Sequence, residues 1–237
     1  MYGIELNPLQ KELGIHWWYG ILDILLNNKK MSFKQNNYTI IKSAIDKDLA
    51  LFVYNYFLMK KQVYDTCRQT KYISRFENII GHYENHDEQI PNTYCLYGDV
   101  AMETLMLKCQ PKMEKATGLR LTPAYTYARI YKTGDELTRH KDRFSCEIST
   151  TMNLGGDKWS IYLEPSGKIG KKGIKVDLNP GDMLIYKGCE CEHWRKKFKG
   201  KKSVQVFLHY NDLETPGSKG NVFDGRPHLG LPNWYKK

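Results

Sequence analysis

The sequence predicts an α+β protein in which helices come first and a double-stranded β-helix, or jelly roll, follows with those helices packed on it. Three observations lead there. Up to Gly118 the apolar residues recur at helical spacing. After Gly118 the chain breaks into short runs rich in Tyr, Val and Ile, separated by Gly, Pro, Asn and Asp. No helical segment interrupts those runs, so the strands must pair antiparallel in a sandwich or barrel.

Taken in order, residues 38–42 (YTIIK) read as a short strand. Ser43 is placed to cap a helix over 44–60 with Asp46 in its first turn. Ile45, Leu49, Phe52, Val53, Tyr56 and Phe57 form its apolar stripe. Residues 61–80 continue as a second helix or as irregular chain, and His82 to Asn92 is polar and reads as a loop. A second clear helix spans 99–117, with Met102, Leu105, Met106, Cys109 and Met113 on one side and Gly118 ending it. Strands follow at 124–131, 145–154, 159–163, 174–178, 183–186 and 204–210. Gly134, Gly155-Gly156, Gly167, Gly170 and Asn179-Pro180-Gly181-Asp182 supply the turns. The chain thus divides into an N-terminal extension (1–30), a helical support region (31–118), a jelly-roll domain (119–212) and a tail of coil (213–237).

The 237 residues are 41% hydrophobic and 13% aromatic, enough for a real core, which excludes disorder throughout. The formal net charge is +10, and Pro165–Lys202 alone holds eleven Lys or Arg against four Asp or Glu. Such an excess keeps a surface soluble or attracts phosphate, nucleic acid or an acidic partner. No arginine-rich helix or nucleic-acid motif accompanies it, so nucleic acid ranks behind other partners. Cys67, Cys95, Cys109, Cys146, Cys189 and Cys191 lack zinc-finger spacing, and free thiols in a reducing cytoplasm are expected. The apolar stretch His16–Leu26 is too short for a membrane span, is interrupted by Asp23 and lacks a small-residue cleavage site. No membrane association is expected, and residues 1–30 stay outside the functional argument.

The chemistry concentrates in His140-Lys141-Asp142. In extended chain, residues i and i+2 point to one side, so this imidazole and this carboxylate converge on one ion. A third ligand must fold back from a distant strand. His193, 53 residues after His140, is the best placed. Two imidazoles and one carboxylate leave coordination positions open, which suits non-haem Fe(II) rather than a closed structural zinc. Arg143 is placed to orient the carboxylate, to contact substrate or to pair with Glu147. Tyr186 and Trp194 are candidates to line the pocket. His209 on the last strand reads as core or surface, and His82, His86 and His228 sit in polar loops without a ligand partner.

The segments YARIYKTGDELTRHKDR (127–143), CEISTTMNL (146–154), LNPGDMLIYKG (178–188) and EHWR…VQVFLHY (192–210) together resemble the Fe(II)/2-oxoglutarate dioxygenase domain of the prolyl 4-hydroxylase-like group. The resemblance covers about 90 residues, Tyr125 to Asp212. It implies iron held by His140, Asp142 and His193. It also implies 2-oxoglutarate as co-substrate and ascorbate as reductant. The implied reaction is hydroxylation by dioxygen of a C–H bond in a protein residue or small molecule, with release of succinate and carbon dioxide. The co-substrate's far carboxylate then needs a buried cation. Lys202, nine residues after His193, and Arg195, two after it, are both candidates, and Tyr131 matches a position whose hydroxyl helps hold the co-substrate. The competing readings are a jelly roll that binds metal or ligand without turnover and an oxygenase directed at nucleic acid.

Overall fold

The computed structural model describes residues 33–74, 77, 79–83 and 90–236, so the extension 1–30 and His86 lie outside the described residues. A one-turn helix α1 (Phe33–Asn36) leads into strand β1 (Tyr38–Ile41) and helix α2 (Lys47–Gln69). The expected cap of α2 is corrected. Asp46 is the N-cap, its carboxylate accepting the Leu49 N–H at 2.7 Å, whereas Ser43 sits at φ 48° with its N–H on Asp182. A carboxylate suits this place better than a hydroxyl because the helix N-terminus is positive. The helix also runs nine residues past the expected end, burying Ala50, Val53, Phe57 and Tyr64 along one face.

Residues 82–97 hold β2 (His82–Tyr83) and β3 (Tyr94–Tyr97), where only a loop was expected to Asn92. Helix α3 (Val100–Thr117) follows. It is capped by Asp99, which accepts from Ala101 and Met102, and closed by Gly118 at φ 70°, a left-handed turn that a side chain would strain. Then come β4 (Leu121–Lys132), β5 (Leu137–His140), a 3-10 turn at Phe144–Cys146, β6 (Ile148–Gly156), β7 (Ile161–Glu164), β8 (Ile174–Val176), β9 (Met183–Lys187), β10 (Glu192–Arg195) and β11 (Lys202–Asp212).

The strands form two antiparallel sheets, as the jelly roll requires. The larger runs β1-β9-β6-β11-β4-β3-β2 and the smaller β5-β10-β7-β8. Residues 31–118 therefore supply strands as well as helices, since β1 pairs with β9 and β3 with β4. Period-2 alternation assigns the faces. On β11, Val204, Val206, Leu208 and Tyr210 join the helices in the main core; on β6, Ile148, Met152 and Leu154 do the same. The intervening Ser149, Thr151 and Asn153 of β6 and Ser203, Gln205 and His209 of β11 are buried on the other face, toward the smaller sheet. There Ile161, Leu163, Leu184 and Tyr186 close one part of the space between the sheets. The rest is polar, and it holds the chemistry.

The tail is more ordered than coil. It forms 3-10 turns at Ser218–Gly220 and Val222–Gly225 and docks through Arg226, whose buried guanidinium pairs with Glu103 of α3 at 2.7 Å. No described helix is long and apolar enough to cross a membrane.

Candidate metal centre

His140 ends β5 and His193 lies opposite it on β10, the two residues being register partners. Their rings sit 4.2 Å apart between centroids. Asp142 follows β5, with its N–H donated to the Gly188 carbonyl at 2.9 Å. Its Oδ1 lies 3.7 Å from His140 Nε2 and 3.5 Å from His193 Nε2. All three donor atoms lie within 4.8 Å of one another.

The tautomers are fixed from behind. His140 Nδ1 lies 2.8 Å from the Thr138 carbonyl and His193 Nδ1 lies 3.2 Å from the Cys191 carbonyl. A carbonyl only accepts, so each Nδ1 carries the hydrogen and each Nε2 offers its lone pair inward. Two neutral nitrogens and one carboxylate oxygen on one side match the donor set and open face of non-haem Fe(II). The residues present fit that ion.

Behind Asp142 stands an outer layer that the sequence did not disclose. Ser149 Oγ donates to Asp142 Oδ2 at 2.8 Å, and His209 Nδ1 lies 3.0 Å from the same Oγ. A hydroxyl has one hydrogen, so His209 must donate to Ser149 for Ser149 to donate to Asp142. Burial pushes the His209 imidazole down to about 4, which keeps it neutral and able to play that part. Burial acts to raise the Asp142 carboxyl, but His193, with His209 and the Ser149 hydroxyl, holds it well below the usual carboxylate range. Gly188 leaves room for this layer: a Cβ there would meet the Cys146 carbonyl oxygen and come within 2.5 Å of Asp142 Oδ2. A second grouping, Asp142, Cys146 and His209, is also close-set. Burial keeps the Cys146 thiol protonated, it already contacts the Tyr125 hydroxyl at 3.0 Å, and Ser149 stands between the other two.

Arg195 lies two residues after His193 on the same strand, so its side chain also enters the space between the sheets. It is 1% exposed. Its guanidinium donates to the Trp159 carbonyl, to Thr151 Oγ1 at 3.0 Å and to Gln205 Oε1 at 3.5 Å, and lies 5.0 Å over the Trp159 ring. Its Nε has no hydrogen-bond partner, and it makes no ion pair among the described residues. Burial presses its pKa down, yet a guanidinium stays charged. Tyr131 is buried on the same face, edge-on to Trp159 at 4.8 Å. Lys202 is not part of this group. Alternation turns Ser203 inward and Lys202 outward, where its ammonium lies 5.6 Å over the ring of Tyr54 on α2.

Two further expectations are corrected. Arg143 pairs neither with Asp142 nor with Glu147; it reaches Asp224 of the tail at 2.8 Å, bonds Ser145 and lies 4.8 Å over the Tyr125 ring. Trp194 faces away from the site, stacked on Tyr162 with Arg139 4.1 Å over it, because Trp194 alternates with the inward His193 and Arg195. Tyr186 does line the site, its ring 4.7 Å from that of His193.

Removing the hydroxyl behind Asp142 makes a test of this layer. Ser149→Ala is expected to weaken metal binding about 10- to 100-fold, the usual loss for an outer partner of a ligand. Titration with Co(II), followed by its visible absorption, reads the effect. An unchanged affinity would remove Ser149 from the site's support.

No protein-family model matches the chain, and no curated protein sequence matches it. Solved structures do. A non-haem α-ketoglutarate-dependent epimerase, SnoN, from nogalamycin biosynthesis superposes with a TM-score of 0.56 at 10% identity, over 76% of this chain and 78% of that one. An oxidoreductase of the 2OG-Fe(II) oxygenase family from Burkholderia pseudomallei gives 0.53 at 11% identity, over 82% and 91%. A prolyl hydroxylase from Trichoplax adhaerens, in complex with a hypoxia inducible factor peptide, gives 0.53 at 16% identity, over 76% and 86%. The chain thus has the jelly-roll fold of the 2-oxoglutarate and Fe(II) oxygenases.

Proposed function

We propose that the chain, built on the 2-oxoglutarate oxygenase jelly roll, is itself a 2-oxoglutarate-dependent Fe(II) oxygenase acting on a C–H bond of a protein residue or small molecule. One observation supports this above the rest. A His–Asp–His donor set and a buried guanidinium without a carboxylate partner among the described residues share one inward face, with His193 and Arg195 two residues apart on β10. That separation is about 6.6 Å along a strand. A five-carbon dicarboxylate spans it, with its keto acid toward the donors and its far carboxylate on Arg195.

In this reading His140, Asp142 and His193 hold the iron, which supplies the oxidation of 2-oxoglutarate by dioxygen when bound. Arg195 neutralises the far carboxylate, which Tyr131 and Thr151 help seat. Trp159 screens the Arg195 guanidinium from water, which strengthens the pairing. Ser149 and His209 keep the Asp142 carboxylate turned to the donors. Tyr186 packs on His193 and limits its rotation.

The purified protein with Fe(II), ascorbate, 2-oxoglutarate and oxygen is expected to form succinate slowly without added substrate. His140→Ala should abolish it. Succinate formation that persists in His140→Ala would sink the proposal. If neither protein turns over, anaerobic 2-oxoglutarate binding to the Fe(II) form decides, and its absence would favour a jelly roll that holds a ligand without turnover.

A further inference from the structure

Outside the metal centre, lysines crowd where the loop after β10 meets the start of β7. A groove of about 190 Å³ runs there, lined by Lys158, Trp159 and Tyr162 on one side and Lys196, Lys197 and Lys199 on the other. Elsewhere seven described lysines, Lys42, Lys60, Lys61, Lys132, Lys175, Lys187 and Lys236, each pair with a carboxylate. Among the described residues, none of the four groove lysines does. Of the nearby acids, Asp157 spends its carboxylate on the backbone N–H groups of Lys201 and Lys202, and Asp177 is taken up by the Ser160 hydroxyl and by Lys175, with Lys158 adding a weaker attraction.

The groove is built rather than frayed. Phe198 is 2% exposed, and its backbone exchanges hydrogen bonds with Gly134 and Asp135. With Phe198 driven inward, Lys197 and Lys199 on either side of it are driven out. A Cβ on Gly200 would come within 2.6 Å of both Asp157 Cβ and the Phe198 ring, so only glycine closes the loop this tightly. The Trp159 indole N–H donates to the Lys196 carbonyl at 2.7 Å, tying the two walls together. The Lys196 ammonium lies 5.0 Å over the Tyr162 ring, which holds that charge at the groove.

We propose that this groove binds the sugar–phosphate backbone of single-stranded nucleic acid, independently of sequence. Its volume is below the roughly 300–1,000 Å³ of a small-molecule site, so it grips a unit of a longer anion rather than enclosing a ligand. Cations on two walls with Trp159 and Tyr162 beside them are the combination that tracks a single strand. A duplex or a membrane presents its charges on a broad surface that cannot enter a groove, and an acidic peptide makes no use of the aromatic side chains in its wall. The site is separate from the metal centre, and its occupation does not depend on the proposed oxygenase activity. It shares Trp159 with the Arg195 pocket, so strand binding there would also bring a polymer to the edge of the catalytic domain.

The test is fluorescence anisotropy of the full chain with a labelled single strand of about 16 nucleotides, titrated over a series of salt concentrations. The groove variant carries Lys158→Glu, Lys196→Glu, Lys197→Glu and Lys199→Glu. The control carries the same charge change on exposed lysines elsewhere: Lys34→Glu, Lys47→Glu, Lys108→Glu and Lys219→Glu. Circular dichroism establishes that both fold. The groove variant is expected to lose at least about tenfold in affinity, and its log–log salt slope to fall by about three, since each phosphate neutralised on a single strand contributes about 0.7. The control should stay within about threefold of the original. Equal losses in both variants would overturn the groove and leave only attraction by net charge. Equal or tighter binding of duplex, of polyglutamate or of phosphatidylserine–phosphatidylcholine vesicles would overturn the single strand as the partner.

Discussion

Asp142→Ala is expected to abolish stoichiometric Fe(II) binding and leave the fold intact. The two histidines are neutral donors, so Asp142 supplies the one negative charge among the three donors. Its loss should exceed the roughly 10- to 100-fold cost of removing an outer partner. The fold should survive because Ser149, deprived of its acceptor, still has the Cys146 carbonyl 2.8 Å away. Asp142→Asn keeps the shape and removes the charge, so a similar loss there would assign the effect to electrostatics. Because the Asp142 carboxyl lies below its ordinary range, its contribution is present above the usual carboxylate pKa and fades only as pH falls through the lowered value. Anaerobic Fe(II) titration with circular dichroism reads both quantities. One-equivalent binding retained by Asp142→Ala would refute the triad.

The parts of this molecule legible from sequence are those governed by local period. The jelly roll showed in the short strands after Gly118, and α3 showed in its apolar stripe between Asp99 and Gly118. His140 and Asp142 were visible because i and i+2 on extended chain face one way. What stayed hidden depends on packing between distant segments. β2 and β3 carry few β-branched residues and are strands because β3 pairs with β4. Arg143 was read toward its neighbours Asp142 and Glu147, but its partner Asp224 lies 81 residues on, in a tail that looked structureless. The sequence left Arg195 and Lys202 equal, because register and the turn before β11 decide which side each faces. The alternation Ser149, Thr151, Asn153 within CEISTTMNL was the available signal for a polar inner face. It did not reveal that Ser149 touches Asp142 while Thr151 touches Arg195.

That last pair of contacts makes Arg195 the second decisive residue. Arg195→Met keeps the length and apolar stem of the side chain and removes the charge. It is expected to raise the 2-oxoglutarate concentration needed for half-maximal succinate formation by about 30- to 1,000-fold, the equivalent of roughly 2–4 kcal/mol for one side of a buried charge pair. Tyr131→Phe removes a single neutral hydrogen bond and should cost about fivefold. Lys202→Met should change nothing, since Lys202 lies on the helix-facing side above Tyr54. Stability gives an independent readout with the opposite sign. Without co-substrate, Arg195 is a buried charge with no carboxylate partner among the described residues, so exchanging it for methionine should leave the melting temperature unchanged or raise it. Added 2-oxoglutarate should then raise the melting temperature of the original Fe(II)-loaded protein and not that of Arg195→Met, because a ligand stabilises the folded chain only as far as it binds. A co-substrate effect that survives in Arg195→Met and disappears in Lys202→Met would move the anchor to the start of β11.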